Sequence, residues 1–118
     1  MPKTLPLVDM SAPVCCAPVA AGPVGDEAAL EVALRLKALA DPARVKLMSL
    51  LLTDAPDATT GDLAAVIGLS ESTISHHLGQ LRTAGLIESE RQGMNVQHRA
   101  RRDALSALCL VLDPNCCT

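Results

Sequence analysis

The chain has 118 residues, a formal net charge of -3 and no Phe, Tyr or Trp. That length suits one small domain with a modest core, to which self-association would add buried surface. Without aromatic rings there is no cage for a quaternary cation and no platform on which bases or sugars stack. The core must be aliphatic, and helices build such a core most easily.

No apolar run reaches the length of a transmembrane helix. Lys3 is the only cation of the N-terminal stretch, and Pro6, Asp9, Pro13 and Pro18 interrupt any signal-like apolar segment. A cytoplasmic protein with no membrane partner is the expectation. Five cysteines then read as thiols, not as a disulfide framework. Charge is spread unevenly: residues 70–102 carry a net +2 and all three histidines inside an acidic whole. A basic segment of this kind can meet nucleic acid locally, although a solvated mixed-charge surface has the same composition.

Residues 1–25 hold five of the eight prolines and read as an extended, flexible arm rather than a packed element. Asp26 has the character of an N-cap for a helix over 27–40, where Leu30, Leu34 and Ala38 run beside Val32, Leu36 and Leu39. Apolarity on two sides suits a helix packed on both a core and a partner. Asp41-Pro42, a cap followed by proline at the first helical position, opens a helix over 42–53 with Val45, Met48, Leu51 and Leu52 inward. After a turn at 54–58, Thr59 caps a short helix to Ile67, with Asp62 at its third position and Gly68 ending it. Ser70 caps a helix over 71–84 that Gly85 closes. Two helices joined by Gly68-Leu69-Ser70 have helix–turn–helix spacing. Residues 86–90 and 95–100 flank Gln92-Gly93 and fit a β-hairpin. A last helix runs from Arg101 to Leu112 with Leu105, Leu108 and Leu112, and Asp113-Pro114 ends it. The expected fold class is mainly α with a small β-hairpin, in three parts: an arm (1–25), a body (26–113) and a tail (114–118).

On a helical wheel for 71–84, Ile74, Leu78 and Leu81 fall in one narrow arc and must face the core. Ser72, His76, Gly79 and Thr83 lie opposite, with Thr73 and Gln80 on one edge and Ser75 and Arg82 on the other. The hydroxyls of Ser70, Ser72, Thr73 and Ser75 near a helix N-terminus suit phosphates. His76 and Gln80 have the reach for base edges in the major groove. His77 lies nearer the buried arc and is expected to pack there. Arg91, Arg99 and Arg101 would sit on or beside a wing able to lie along the phosphate backbone, and Arg82 is a further candidate DNA contact. Taken alone, the helix leaves an ordinary polar surface open as the other reading.

The runs Ala38-Leu39-Ala40-Asp41-Pro42-Ala43-Arg44, Gly68-Leu69-Ser70-Glu71-Ser72-Thr73-Ile74-Ser75-His76-His77-Leu78 and Leu81-Arg82-Thr83-Ala84-Gly85-Leu86-Ile87 carry a family resemblance. Over residues 27–112 the chain resembles the ArsR/SmtB metal- and metalloid-responsive repressors. The resemblance implies a homodimeric winged helix–turn–helix on a palindromic, double-stranded operator. The first and last helices would form the dimer interface, and two recognition helices would enter successive major grooves. By motif position, Ser72, Thr73, Ser75 and His76 would contact DNA. The wing segment Glu90-Arg91-Gln92-Gly93-Met94-Asn95-Val96 departs from the aromatic-rich wing common in such proteins.

The thiols are Cys15, Cys16, Cys109, Cys116 and Cys117. One type of the family carries Cys-x-Cys-x-x-Cys on the helix before the recognition helix, and residues 59–67 have no cysteine. Another binds zinc on the last helix, where Asp103 is present but no histidine follows His98. Thiol chemistry at the chain ends remains. Vicinal Cys15 and Cys16 are badly placed for a mutual disulfide, whose small ring is strained, and can give two soft thiolates to one thiophilic centre. The resemblance to arsenic-responsive members with paired N-terminal cysteines implies As(III) or Sb(III) as inducer, held by three thiolates, and no catalytic cofactor. The third falls to Cys116 or Cys117, since the loop over 53–60, with Ala55, holds none. In the family such a ligand can come from the other subunit. Cys109, among leucines, is expected to be a buried inert thiol. Zn(II), Cd(II) or Pb(II) sensing by two thiol pairs, and a thiol redox input, stay open as alternatives. An enzyme is not expected, because the cysteines lie at the termini or on an apolar helix without an oxyanion-type glycine motif.

Overall fold

The computed structural model describes residues 9–14 and 18–113. A 3-10 turn at Val19–Ala21 leads to α1 (Asp26–Leu39), α2 (Pro42–Leu52), α3 (Thr60–Ile67), α4 (Glu71–Thr83), the antiparallel strands β1 (Ile87–Gln92) and β2 (Asn95–Ala100), and α5 (Arg102–Leu112). The expected mainly α fold with one hairpin is what forms. Its helix starts are set by local chemistry. Asp41 accepts from the Ala43 amide (2.8 Å) with Pro42 at the first helical position. Thr59 and Asp62 make a reciprocal capping box, each side chain accepting from the other's amide at 3.1 Å. Asp26 departs from expectation: Gly25 takes the cap position and Asp26 is the first helical residue. Its carboxylate there still favours the positive end of the helix dipole.

The main core gathers Leu47, Met48 and Leu51 of α2, Leu63 and Ala64 of α3, Ile74, Leu78 and Leu81 of α4, and Leu86 and Ile87 at the start of the hairpin. Val45 is not in it, being 53% exposed. The buried arc of α2 is centred between Leu47 and Leu51, and at 100° per residue Val45 falls well outside that arc. A smaller cluster joins Val32 of α1 to Leu108 and Val111 of α5, with Val14 against them.

Val14 marks a difference from the loose arm expected over 1–25. It is 6% exposed, and Met10 packs against the main core. Prolines suppress regular structure there, but they do not prevent an extended segment from docking. Residues 19–25 are exposed, as an arm would be.

The hairpin runs in register from Ile87 opposite Ala100 to Gln92 opposite Asn95. Gly93 supplies the positive φ (+63°) that its two-residue turn needs. The loop before α3 is stitched to β2 by His98 N–H to Ala58 O at 2.9 Å and by a bridge between Thr59 and Gln97. The wing is thereby tied to the start of the helix–turn–helix.

Candidate nucleic-acid interface

α3 and α4 are joined by a tight corner in which Gly68 is left-handed (φ +82°) and Ser70 caps α4. Ile74, Leu78 and Leu81 anchor α4, at 0%, 1% and 0% exposure. Fixing that arc in the core turns the opposite face outward. Ser70, Ser72, Thr73, Ser75, His76, Gln80 and Arg82 are all exposed, so α4 and its cap bring seven of the expected contact residues together. Ser70 Oγ accepts from the Thr73 amide (3.2 Å) and donates to Thr73 Oγ1 (2.8 Å). Its own proton is thus used locally, while Thr73 keeps a hydroxyl proton for an outside acceptor. Glu71 folds back over α3, where an added Cβ at Gly61 would meet its Oε1 at 3.1 Å. Half-buried His77 accepts at Nδ1 from Arg44 Nε (3.1 Å), the supporting role its place on the wheel suggests.

Alternation along the hairpin sorts the wing arginines. Ser89, Arg91, Val96 and His98 share one face by register, and Glu88, Glu90, Gln97 and Arg99 share the other. Arg91 is exposed on the face that meets the helix–turn–helix. Arg99 lies on the opposite face, where Nε donates to Asp57 Oδ1 (2.9 Å) and Nη1 to Glu88 Oε1 (3.4 Å). Those carboxylates, Asp57 first, push its pKa further up. Arg99 is therefore on the other face of the hairpin from the α4 residues, with its guanidinium already shared with Asp57 and Glu88.

His98, which sequence reasoning passed over as a site residue, is 2% exposed. Its Nε2 lies 2.8 Å from Thr60 Oγ1 and its Nδ1 2.8 Å from Ser89 Oγ. Arg82 Nη1 donates to the same Ser89 Oγ at 3.4 Å. In the neutral ring one of these nitrogens donates and the other accepts, so both are hydrogen-bonded. One imidazole thus links α3, both strands and the last turn of α4. Burial, and then the nearby Arg82 charge, hold its pKa below the ordinary imidazole value. The signal was present in the sequence, because His98 falls on the inward period-2 face with Val96.

Cys15, Cys16, Cys116 and Cys117 lie outside the described residues. Cys109, expected to be an inert buried thiol, is half-buried on α5 and is disulfide-bonded. The reading of all five cysteines as thiols is corrected accordingly. α5 buries Ala104, Leu108 and Val111, and this phase leaves Cys109 on the edge of the apolar stripe. Among the described residues no group of three His, Cys, Asp or Glu could hold a metal ion. No helix among them is long and apolar enough to cross a membrane.

The family model for bacterial regulatory proteins of the arsR family matches residues 41–89. The HTH-type transcriptional regulator YgaV of Escherichia coli K12 is 32% identical over 82 residues, covering 70% of this chain and 82% of the relative. The chain belongs to the ArsR/SmtB family. It is a transcriptional repressor of that family, whose members are DNA-binding regulators rather than enzymes. The solution structure of a homodimeric winged helix–turn–helix DNA-binding domain from Mycobacterium bovis, a possible ArsR-family regulator, superposes with a TM-score of 0.62. It is 30% identical, over 76% of this chain and 84% of that one. The structure of a possible transcriptional regulator for arsenical resistance gives a TM-score of 0.58 at 34% identity, over 63% and 75% of the two chains. The fold of this ArsR/SmtB repressor is thus a winged helix–turn–helix: α3 and α4 are the reading unit and β1–β2 the wing.

Proposed function

We propose that this repressor is a cytoplasmic homodimer that holds a palindromic operator and releases it when As(III) or Sb(III) binds Cys15 and Cys16. The body over 26–113 would read DNA and dimerise, and the arm would sense. Dimerisation would use α1 and α5, which leave Leu36 and Leu110 38% and 47% exposed. The homodimeric relative supports a dimer. Ser70, Ser72, Thr73 and Ser75 would meet phosphates, His76 and Gln80 base edges, and Arg82 and Arg91 the backbone beside the groove. Arg99 would join them from the opposite face of the hairpin, through guanidinium donors that Asp57 and Glu88 leave unused.

The inducer assignment is carried by one observation, the vicinal Cys15-Cys16 pair, whose two soft sulfurs suit a thiophilic trivalent centre. Likeness to a possible regulator for arsenical resistance agrees with it. In the reduced protein, Cys116 or Cys117 would supply the third thiolate. A second reading, release on cysteine oxidation, is favoured by the disulfide at Cys109.

A gel-shift titration of the DNA upstream of the protein's own gene separates the two. Arsenite and antimonite are expected to release the reduced protein at lower concentrations than cadmium, lead or zinc. Release by peroxide alone, with no response to arsenite, would replace the metalloid reading by the redox one. Binding itself is checked at His76. His76→Ala is expected to weaken operator binding by about 1–3 kcal/mol while leaving binding to scrambled duplex nearly unchanged. Equal losses on both duplexes would remove His76 from base reading.

A further inference from the structure

Residues 9–14 are held by α1, by the end of α4 and by the start of α5. Arg35, in the middle of α1, is 2% exposed. Its guanidinium donates to Glu31 O of its own helix (2.9 Å), to Ala12 O (3.0 Å) and to Asp9 O (3.3 Å). Two of these acceptors belong to the arm. Between them Ser11 O accepts from Arg101, which stands at the N-cap of α5. Met10 O presses on Gly85, where an added Cβ would come within 1.8 Å of it. Gly85 is the left-handed residue (φ +75°) that turns the chain out of the recognition helix. Met10 lines a cavity of about 300 Å³ together with Gln80, Thr83 and Ala84 at the C-terminal end of α4. Val14, the last residue of the segment, is buried against Val32, Leu108 and Val111.

These contacts tie residues 9–14 to α1, to the end of α4 and to the start of α5 at once. The segment supplies carbonyls to a buried guanidinium that otherwise needs water. Lifting it would uncover Arg35 and remove the backbone that rests on the end of α4. The residue after Val14 is Cys15.

We propose that Arg35 and Gly85 are positioning residues for induced release: they seat residues 9–14 as a strap that carries inducer capture at Cys15 and Cys16 to the C-terminal end of the recognition helix. This rests on the reading of those cysteines as inducer ligands. A strap that merely packed would affect stability and leave the link between inducer and DNA unchanged.

The test uses full-length protein with two variants that disturb the strap from opposite sides. Arg35→Met removes the donors and keeps much of the apolar stem. Gly85→Asn keeps a residue that tolerates left-handed backbone but puts a side chain where Met10 O lies. If one does not fold, the other carries the test, and Arg35→Lys serves as the conservative rescue. Arsenite uptake is read from thiolate-to-arsenic absorption, and operator affinity from fluorescence anisotropy of labelled DNA. Both variants are expected to take up arsenite as the wild type does and to bind operator within about threefold of it. Arsenite-driven loss of affinity should fall from ~100-fold to below ~10-fold, with Arg35→Lys recovering part of it. A folded, arsenite-loaded variant that releases DNA with the wild-type fold-change overturns the strap alone. A wild-type protein that takes up no arsenite overturns the reading of the cysteines, and the strap's part in induction with it.

Discussion

A protein with Cys15 and Cys16 both changed to serine is expected to bind operator within about twofold of the wild type and to show no release by arsenite. Serine matches cysteine closely in shape but offers a hard hydroxyl that stays protonated, so a thiophilic centre loses two ligands with little loss of packing. Operator binding is spared because the exposed face of α4 is fixed by Ile74, Leu78 and Leu81 in a core shared with α2, α3 and the hairpin. The effect removed is large. A ~100-fold loss of DNA affinity on induction corresponds to about 3 kcal/mol of coupling. The coupling is reciprocal, so saturating operator should weaken arsenite binding to the wild type by the same factor. Anisotropy titrations with and without arsenite measure one side of this cycle, and thiolate absorption with and without DNA the other. Because the chain lacks Phe, Tyr and Trp, that absorption stands on a quiet background without DNA, and with operator present the DNA's own absorption is subtracted. Release of the double serine protein by arsenite would move the sensing site elsewhere.

The parts of the fold legible in the sequence are those whose causes are local. Asp41-Pro42, the Thr59–Asp62 box, Gly68 and Ser70 each act within three residues, and all sit where their chemistry predicts. The wheel of α4 was legible because three large aliphatic residues on one arc leave a short helix a single way to face. Asp26 shows the limit, since an acid suits both the cap and the first turn. What was not legible depends on distant partners. Arg35 looks like a solvent-facing charge on α1, and its burial comes from carbonyls 23 and 26 residues away. The docking of residues 9–14 likewise depends on Arg101, 90 residues from Ser11. Arg99 fitted a phosphate contact by charge alone. Only the register, which puts it opposite Glu88, and the fold of the preceding loop, which brings Asp57, show what holds it.

His98→Ala is expected to cost about 3 kcal/mol of stability, combining a cavity under the wing with hydroxyls of Thr60 and Ser89 that lose their partner. The loss should be larger than that of His98→Asn, which keeps a polar group on the strand. It should also appear in DNA binding, since the imidazole is the side-chain tie between the wing and the start of α3. The dependence on pH has a definite sign. The unfolded chain titrates this group near 6.5, and the fold lowers that value. Between the two values the unfolded state holds the proton and the folded state does not, so unfolding becomes easier as protons are added. Stability from the neutral, buried ring is therefore complete above pH 6.5, falls as the pH drops below it, and levels off below the folded pKa. His76 is exposed and His77 half-buried, so comparing wild type with His98→Asn isolates the buried ring. Urea unfolding at stepped pH should show the acid-side decline in the wild type and a shallower one in the variant. Equal slopes would mean that the proton taken up on unfolding belongs to another group.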